Sequence, residues 1–135
     1  MKKIYYIIAL CLGFILSNEQ VFATHAAGGE LIYELVPGQT NQYRFTFKFY
    51  RDCSGTAEPA TFQMCYNNSC GVNNQSITLT KMVGNLPNGQ PNGGVVFVGC
   101  NPVPTICNGG VLPGYREWWY QGVVTLPTTC NFWKF

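Results

Sequence analysis

The sequence has little charge and almost no histidine: charged residues are 10% of its 135 positions, and His25 is the one histidine. With His25 read as an exposed or strand-leading histidine and no other in the chain, Ser/His/Asp and Cys/His hydrolase arrangements are removed. A copper oxygenase would need histidine first in the mature chain and a second one elsewhere, and His25 meets neither condition; with a free α-amine beside it, it would hold copper only weakly. No cofactor and no metal centre are implied. After residue 23 the charges are Arg44, Lys48, Arg51, Lys81, Arg116 and Lys134 against Glu30, Glu34, Asp52, Glu58 and Glu117, a net charge of +1. A balance that even supplies no basic stripe for nucleic acid or an anionic membrane. Helical spacing is missing too, since no window of eleven or more residues after position 23 combines it with a cap.

The apolar start of the chain is short. Lys2 and Lys3 precede an apolar run from Ile4 to Leu16, and Val21-Phe22-Ala23 has the spacing of a signal-peptidase site. About 20 apolar residues are needed to span a membrane, so residues 1–23 read as a signal peptide, with membrane contact only through that transient segment. Cys11 follows Leu10 in mid-run and reads as an apolar residue of the signal, not a lipidation site. Residues 24–135 then form one domain working outside the cytoplasm, large enough for a core of its own.

Six cysteines remain in that domain: Cys53, Cys65, Cys70, Cys100, Cys107 and Cys130. Their spacings are not those of zinc modules, and an oxidising compartment favours disulfides over thiolates. Six cysteines allow fifteen pairings, which sequence alone does not resolve. Local closure favours Cys65 with Cys70 and Cys100 with Cys107, leaving Cys53 and Cys130 to each other or to cysteines beyond this sequence. The even count leads to the expectation of no free thiol.

Period-two alternation dominates the domain, and it predicts strands. Tyr43, Phe45, Phe47 and Phe49 alternate with Arg44, Thr46 and Lys48, which predicts a half-buried strand with the aromatic set in the core and the second set exposed. Glu30 to Val36 places Leu31, Tyr33 and Leu35 on one face, and Pro37-Gly38-Gln39-Thr40-Asn41 supplies the turn of a hairpin. Further strands are expected at Thr61 to Tyr66, Ser76 to Val83, Val95 to Gly99, Glu117 to Leu126 and Asn131 to Phe135, with Asn85 to Gly94 a Pro/Gly/Asn loop. The fold class that follows is all-β: a disulfide-stapled antiparallel β-sandwich, immunoglobulin-like in outline, with an open barrel as the alternative. The bare aromatic end at Phe132 to Phe135 leads to the expectation that the domain is cut from a longer chain.

Two candidate sites stand out. Glu30 and Glu34 share a strand face but lie about 13 Å apart along it, beyond either glycosidase geometry. In Glu117 to Val124, alternation sends Trp118, Tyr120 and Val124 to one face and Glu117, Trp119 and Gln121 to the other. One tryptophan then fills the core. Trp119, with Glu117 and Gln121 beside it, either stacks on a sugar ring or packs under a loop or against a following domain.

Four stretches carry a resemblance: His25-Ala26-Ala27-Gly28-Gly29-Glu30-Leu31-Ile32-Tyr33, Tyr50-Arg51-Asp52-Cys53, Cys100 with Pro102 and Pro104 before Cys107, and Tyr120-Gln121-Gly122-Val123-Val124-Thr125-Leu126-Pro127. In order and spacing they resemble the N-terminal region of large secreted surface proteins of gliding-type Bacteroidetes. Such proteins continue into immunoglobulin-like or PKD-like repeats and end in a gliding-motility-associated sorting domain for type IX secretion. The resemblance implies a secreted, cell-surface protein with an adhesive or structural role, no enzymatic activity, and partners among the downstream domains of its own chain and cell-surface glycans or proteins. Departures are the missing sorting domain, the missing paired-cysteine segment after the last strand, and Cys65 with Cys70, which look like a local addition. A carbohydrate-binding module is the alternative function and a secreted hydrolase the third.

Overall fold

The computed structural model describes residues 26–97, 99, 103–127, 130 and 132–135. The expected signal peptide and its cleavage site, His25, Cys100, Pro102 and Asn131 lie outside the described residues. Seven strands form one antiparallel sheet: β1 (Ala26–Leu35), β2 (Gln42–Asp52), β3 (Thr61–Asn68), β4 (Gln75–Lys81), β5 (Gly94–Val96), β6 (Tyr115–Thr125) and β7 (Trp133–Lys134). Their order is β1-β2-β6-β4-β3-β7, with β5 beside β6. The fold is all-β and antiparallel, as the alternation predicts.

The sheet folds over on itself because β4 meets β6 over only two residue pairs, Thr80 with Gln121 and Lys81 with Tyr120. Beyond that short contact β4 crosses over β6. A Cβ at Gly122 would lie 2.8 Å from a Leu79 methyl and 2.9 Å from the Thr78 carbonyl, so only glycine admits the crossing. The two layers of the sandwich are therefore one curled sheet. Phe62 of β3 shows the result: it packs edge-on against Phe47 at 5.0 Å and Tyr120 at 4.8 Å, although β3 and β2 are not neighbours in the sheet. Phe45, Phe49, Met64, Leu79, Tyr120, Val124 and Leu126 make the core.

Alternation misassigns several positions on β2. Thr46 is only 8% exposed, Arg44 and Lys48 are half-buried where exposure was expected, and Tyr43 and Phe47 are half-buried where core burial was expected. The cause is that β2 is an inner strand whose outer face is also covered: Ile32 and Gln121 flank Thr46, and the Gln121 amide donates to its hydroxyl at 3.0 Å. The opposite happens on β1, where Leu31, Tyr33 and Leu35 share the core-side face yet all ten strand residues are exposed. The curled layer covers β2 and β6, and β1 is an edge that no other described element covers.

A charged lock seals the far end of the core. Arg51 reaches the Thr56 carbonyl at 2.7 Å and Glu58 at 4.0 Å, and Lys81 bonds Glu58 at 2.9 Å. Burial alone would raise the Glu58 carboxyl; the Lys81 hydrogen bond and the Lys81 and Arg51 charges outweigh it and hold the pKa below its ordinary value. Beside this lock the Tyr120 hydroxyl donates to the Pro59 carbonyl at 2.7 Å.

The disulfides differ from the local pairing expected. Cys53 bonds Cys107, with Cα atoms 5.2 Å apart, and Cys70 bonds Cys130 at 6.0 Å. Cys65 carries an exposed free thiol, which corrects both the Cys65–Cys70 pairing and the expectation of no free thiol. Strand β3 runs on to Asn68, so three more extended residues carry the chain about 10 Å beyond Cys65, and alternation turns Cys65 to the solvent face. Cys70 lies in the turn past that end, which the Asn68 carboxamide organises by accepting the Cys70 and Val72 amides. There β7 pairs with β3, delivering Cys130 to Cys70. At the other end, β2 and β6 pair through Asp52 and Tyr115, and the Cys53 amide donates to the Gly114 carbonyl. A 3₁₀ turn at Ile106–Asn108, capped by Thr105, then sets Cys107 against Cys53. A Cβ at Gly114 would sit 2.8 Å from the Cys107 sulfur. Each bridge closes a long loop and stabilises the fold by about 4 kcal/mol on the chain-entropy account.

Two outcomes test this core. Phe45→Ala, at a ring that is 1% exposed, should cost about 3–5 kcal/mol in urea unfolding, and Phe47→Ala clearly less. Equal losses would contradict the burial difference. Burial, aided by the Glu58 charge, pushes the Tyr120 hydroxyl up to about 12. An unfolded tyrosine ionises at about 10, so this stabilisation is complete below that pH and is lost as pH rises through the folded value. Circular dichroism should show alkaline destabilisation across that window, and Tyr120→Phe should flatten it.

Candidate functional site

The outer face of β1, β2 and β6 is built in rows by the strand register. Glu30, Lys48 and Trp119 stand side by side; so do Ile32, Thr46 and Gln121, and Glu34, Arg44 and Val123. Glu117, Trp119 and Gln121 thus share one face, as alternation requires, while Trp118 and Tyr120 point to the core side.

Each candidate group on this face is already engaged. The Lys48 ammonium sits 5.0 Å from the centre of the Trp119 ring and bonds Glu30 at 3.1 Å. The Trp119 indole N–H donates to the Glu117 carboxylate, and the Gln121 amide is held by Thr46. Glu34 pairs with Arg44 at 2.9 Å, so Glu30 and Glu34 are two separate ion pairs and not an acid/base dyad. The space beside Trp119, lined by Ile32, Arg44, Thr46, Pro87 and Gln121, is about 160 Å³. Small-molecule sites are generally about 300–1,000 Å³, so this groove suits one edge of a ligand and not a whole ring system. Among the described residues no three His, Cys, Asp or Glu side chains gather where they could hold a metal ion.

What fixes Trp119 is a residue that the sequence offers only as part of a turn. Between Glu117, opposite the first residue of β5, and Tyr120, opposite the last residue of β4, the edge of β6 has a gap at Trp118 and Trp119. Asn92 fills it. Its carboxamide oxygen accepts the Trp119 amide at 2.8 Å, and its nitrogen donates to the Trp119 carbonyl at 3.0 Å and the Met82 carbonyl at 2.8 Å. One side chain replaces a strand residue. The Pro91-Asn92-Gly93-Gly94 stretch signalled a turn, but nothing in it showed that the asparagine reaches back to the sheet.

A second concavity lies on the core side, at the turn end of the β1–β2 hairpin. Tyr33, Tyr43, Phe45, Trp133 and Phe135 line a cleft of about 490 Å³, with Asn41 at its rim. Phe135 stacks at 4.6 Å on Phe45, and Tyr33 lies 5.9 Å from the same ring. Alternation gives the Tyr33, Tyr43 and Phe45 wall; the other wall comes from the return of β7 to β3, which no local pattern signals. The Phe132 ring is exposed, whereas Trp133 is half-buried against Tyr66. Of the bare aromatic end expected from the sequence, Phe132 and Phe135 remain exposed, and Trp133 and Phe135 form a wall of the cleft.

Replacing Asn92 by Ala removes three hydrogen bonds and leaves the Trp119 amide without its partner, while the Trp119 carbonyl keeps the Met82 amide at 2.9 Å. It should lower stability by about 2 kcal/mol and speed hydrogen exchange of the Trp119 amide. A loss under about 0.5 kcal/mol, the surface-site level, would show that the clamp is dispensable.

No family model, curated protein sequence or solved structure matches this chain.

Proposed function

We propose that this chain is a non-catalytic extracellular domain of a secreted cell-surface protein, adhesive or structural in role, of the kind its resemblance to gliding-type Bacteroidetes surface proteins implies. One observation carries the reading. The uncovered β1 edge, with Leu31, Tyr33 and Leu35 exposed, continues into the aromatic cleft, and a contiguous apolar surface of this sort marks an interaction site. The two disulfides support an oxidising compartment. Among the described residues no helix is long and apolar enough to cross a membrane. The proposed partners are further domains of a longer polypeptide and cell-surface glycans or proteins.

A second reading, carbohydrate binding, draws on the placement of Glu117, Trp119 and Gln121 on one face. The small groove and the covered Trp119 ring favour it less. A hydrolase has least support, since Glu30 and Glu34 are each neutralised by a cation.

Attachment of protein-coated beads to producing cells and their matrix tests the proposal. Tyr33→Ser with Leu35→Ser, both at exposed positions, should reduce attachment and leave the melting temperature nearly unchanged. Attachment that survives this change but is lost with Trp119→Ala, together with retention on polysaccharide, would replace the proposal by the carbohydrate reading. Turnover of a glycan or peptide would refute both.

A further inference from the structure

The edge of β1 has the features of a strand acceptor. It is ten residues long, it ends the sheet, and it contains no proline and no lysine. Long edges are normally shielded by lysine, proline or an inward-pointing charge, because their outward N–H and C=O groups template pairing with another strand. β1 instead presents Leu31, Tyr33 and Leu35 on the core-side face, where Tyr33 lines the cleft, and Glu30, Ile32 and Glu34 on the opposite face. The two carboxylates are the only charges on the strand. Each is more than half exposed, and each bonds its β2 cation through one oxygen, Glu34 through Oε1 and Glu30 through Oε2.

We infer that the β1 edge accepts an extended segment of another protein in which apolar residues alternate with polar ones and two Lys or Arg lie four residues apart. The inference rests on the interaction-domain reading above and names its partner. Backbone hydrogen bonds to β1 supply affinity, as in other cases of strand addition, and the alternate side chains supply specificity. Residues on one face cover Leu31, Tyr33 and Leu35 at the mouth of the aromatic cleft. On the other face, cations four positions apart stand opposite Glu30 and Glu34 and meet their second oxygens. The same carboxylates oppose one self-pairing register: two β1 strands paired antiparallel about Ile32 set Glu30 of each opposite Glu34 of the other, and like charges directly opposite destabilise a pair.

The test uses the oxidised full chain and capped ten-residue peptides alternating valine and threonine, with lysine replacing two threonines four residues apart. Fluorescence anisotropy should show binding of the lysine peptide, and hydrogen exchange should slow at amides of residues 26–35. A glutamate version should bind at least about fivefold more weakly, as for loss of roughly 1 kcal/mol of ion pairing. Glu30→Gln with Glu34→Gln should erase that preference, and a peptide N-methylated at alternate residues should not bind. No binding at millimolar peptide, protection elsewhere than β1, indifference to charge, or self-association of the chain through β1 would each overturn the inference. Because bead attachment is read independently, attachment without peptide binding sinks the strand proposal alone, and loss of both sinks the interaction reading with it.

Discussion

The eleven-residue ladder between β2 and β6, from Gln42 opposite Thr125 to Asp52 opposite Tyr115, is the constraint on which the other features depend. It fixes the register, and with a two-residue side-chain period the register decides which groups meet. One face of the ladder delivers Phe45, Phe49, Tyr120 and Val124 to the core. The other aligns Lys48 with Trp119 and Thr46 with Gln121. A slip of one residue would exchange the faces, burying Lys48 and exposing Phe45. The energetic gap between those registers is large, since burying a large apolar side chain is worth about 1.5–3 kcal/mol and burying an unpaired charge costs several.

The ladder also locates the covalent and electrostatic ties. Its Asp52–Tyr115 end brings the chain after β2 beside the loop before β6, where Cys53 and Cys107 join. Near that end Arg51, Glu58 and Lys81 lock the layers, and Tyr120 spends its hydroxyl on the Pro59 carbonyl. The second disulfide ties the far layer, holding the return of the chain through Cys130 against the end of β3. Neither bridge touches β1. That strand is attached by its hydrogen bonds to β2 and by two surface ion pairs, which contribute little.

The legibility of this molecule in its sequence follows the range of the interactions. Strand positions were legible, because alternation at Tyr43 to Phe49 and Glu117 to Val124 is a local consequence of one face being dry. The shared face of Glu117, Trp119 and Gln121 was legible for the same reason. Burial of Thr46 was not, because it depends on which strands flank β2 and on a glutamine 75 residues away. Disulfide pairing failed most clearly: short sequence spacing suggested Cys65 with Cys70, whereas three further strand residues separate them and a distant segment supplies Cys130. Asn92 shows the limit of composition, since an asparagine in a turn and an asparagine completing a sheet edge look alike until the sheet is known.

The two ends of the domain have opposite character, and the contrast bears on function. At the Cys53–Cys107 end, charged groups are paired across layers and the chain is covalently closed. At the other end the Cys70–Cys130 bridge also closes the chain, but there tyrosine, phenylalanine and tryptophan rings line an open cleft beside an edge that nothing covers among the described residues. Open apolar surface of this kind adds no stability to the isolated domain and carries an aggregation risk along a free edge. A fold held by a long ladder and two wide disulfide loops tolerates that exposure, because its stability is generated elsewhere. On the proposed reading, substitutions at Tyr33 or Leu35 are expected to act on binding and those at Tyr120 on folding, whereas Phe45 joins the two, as a core ring that also lines the cleft.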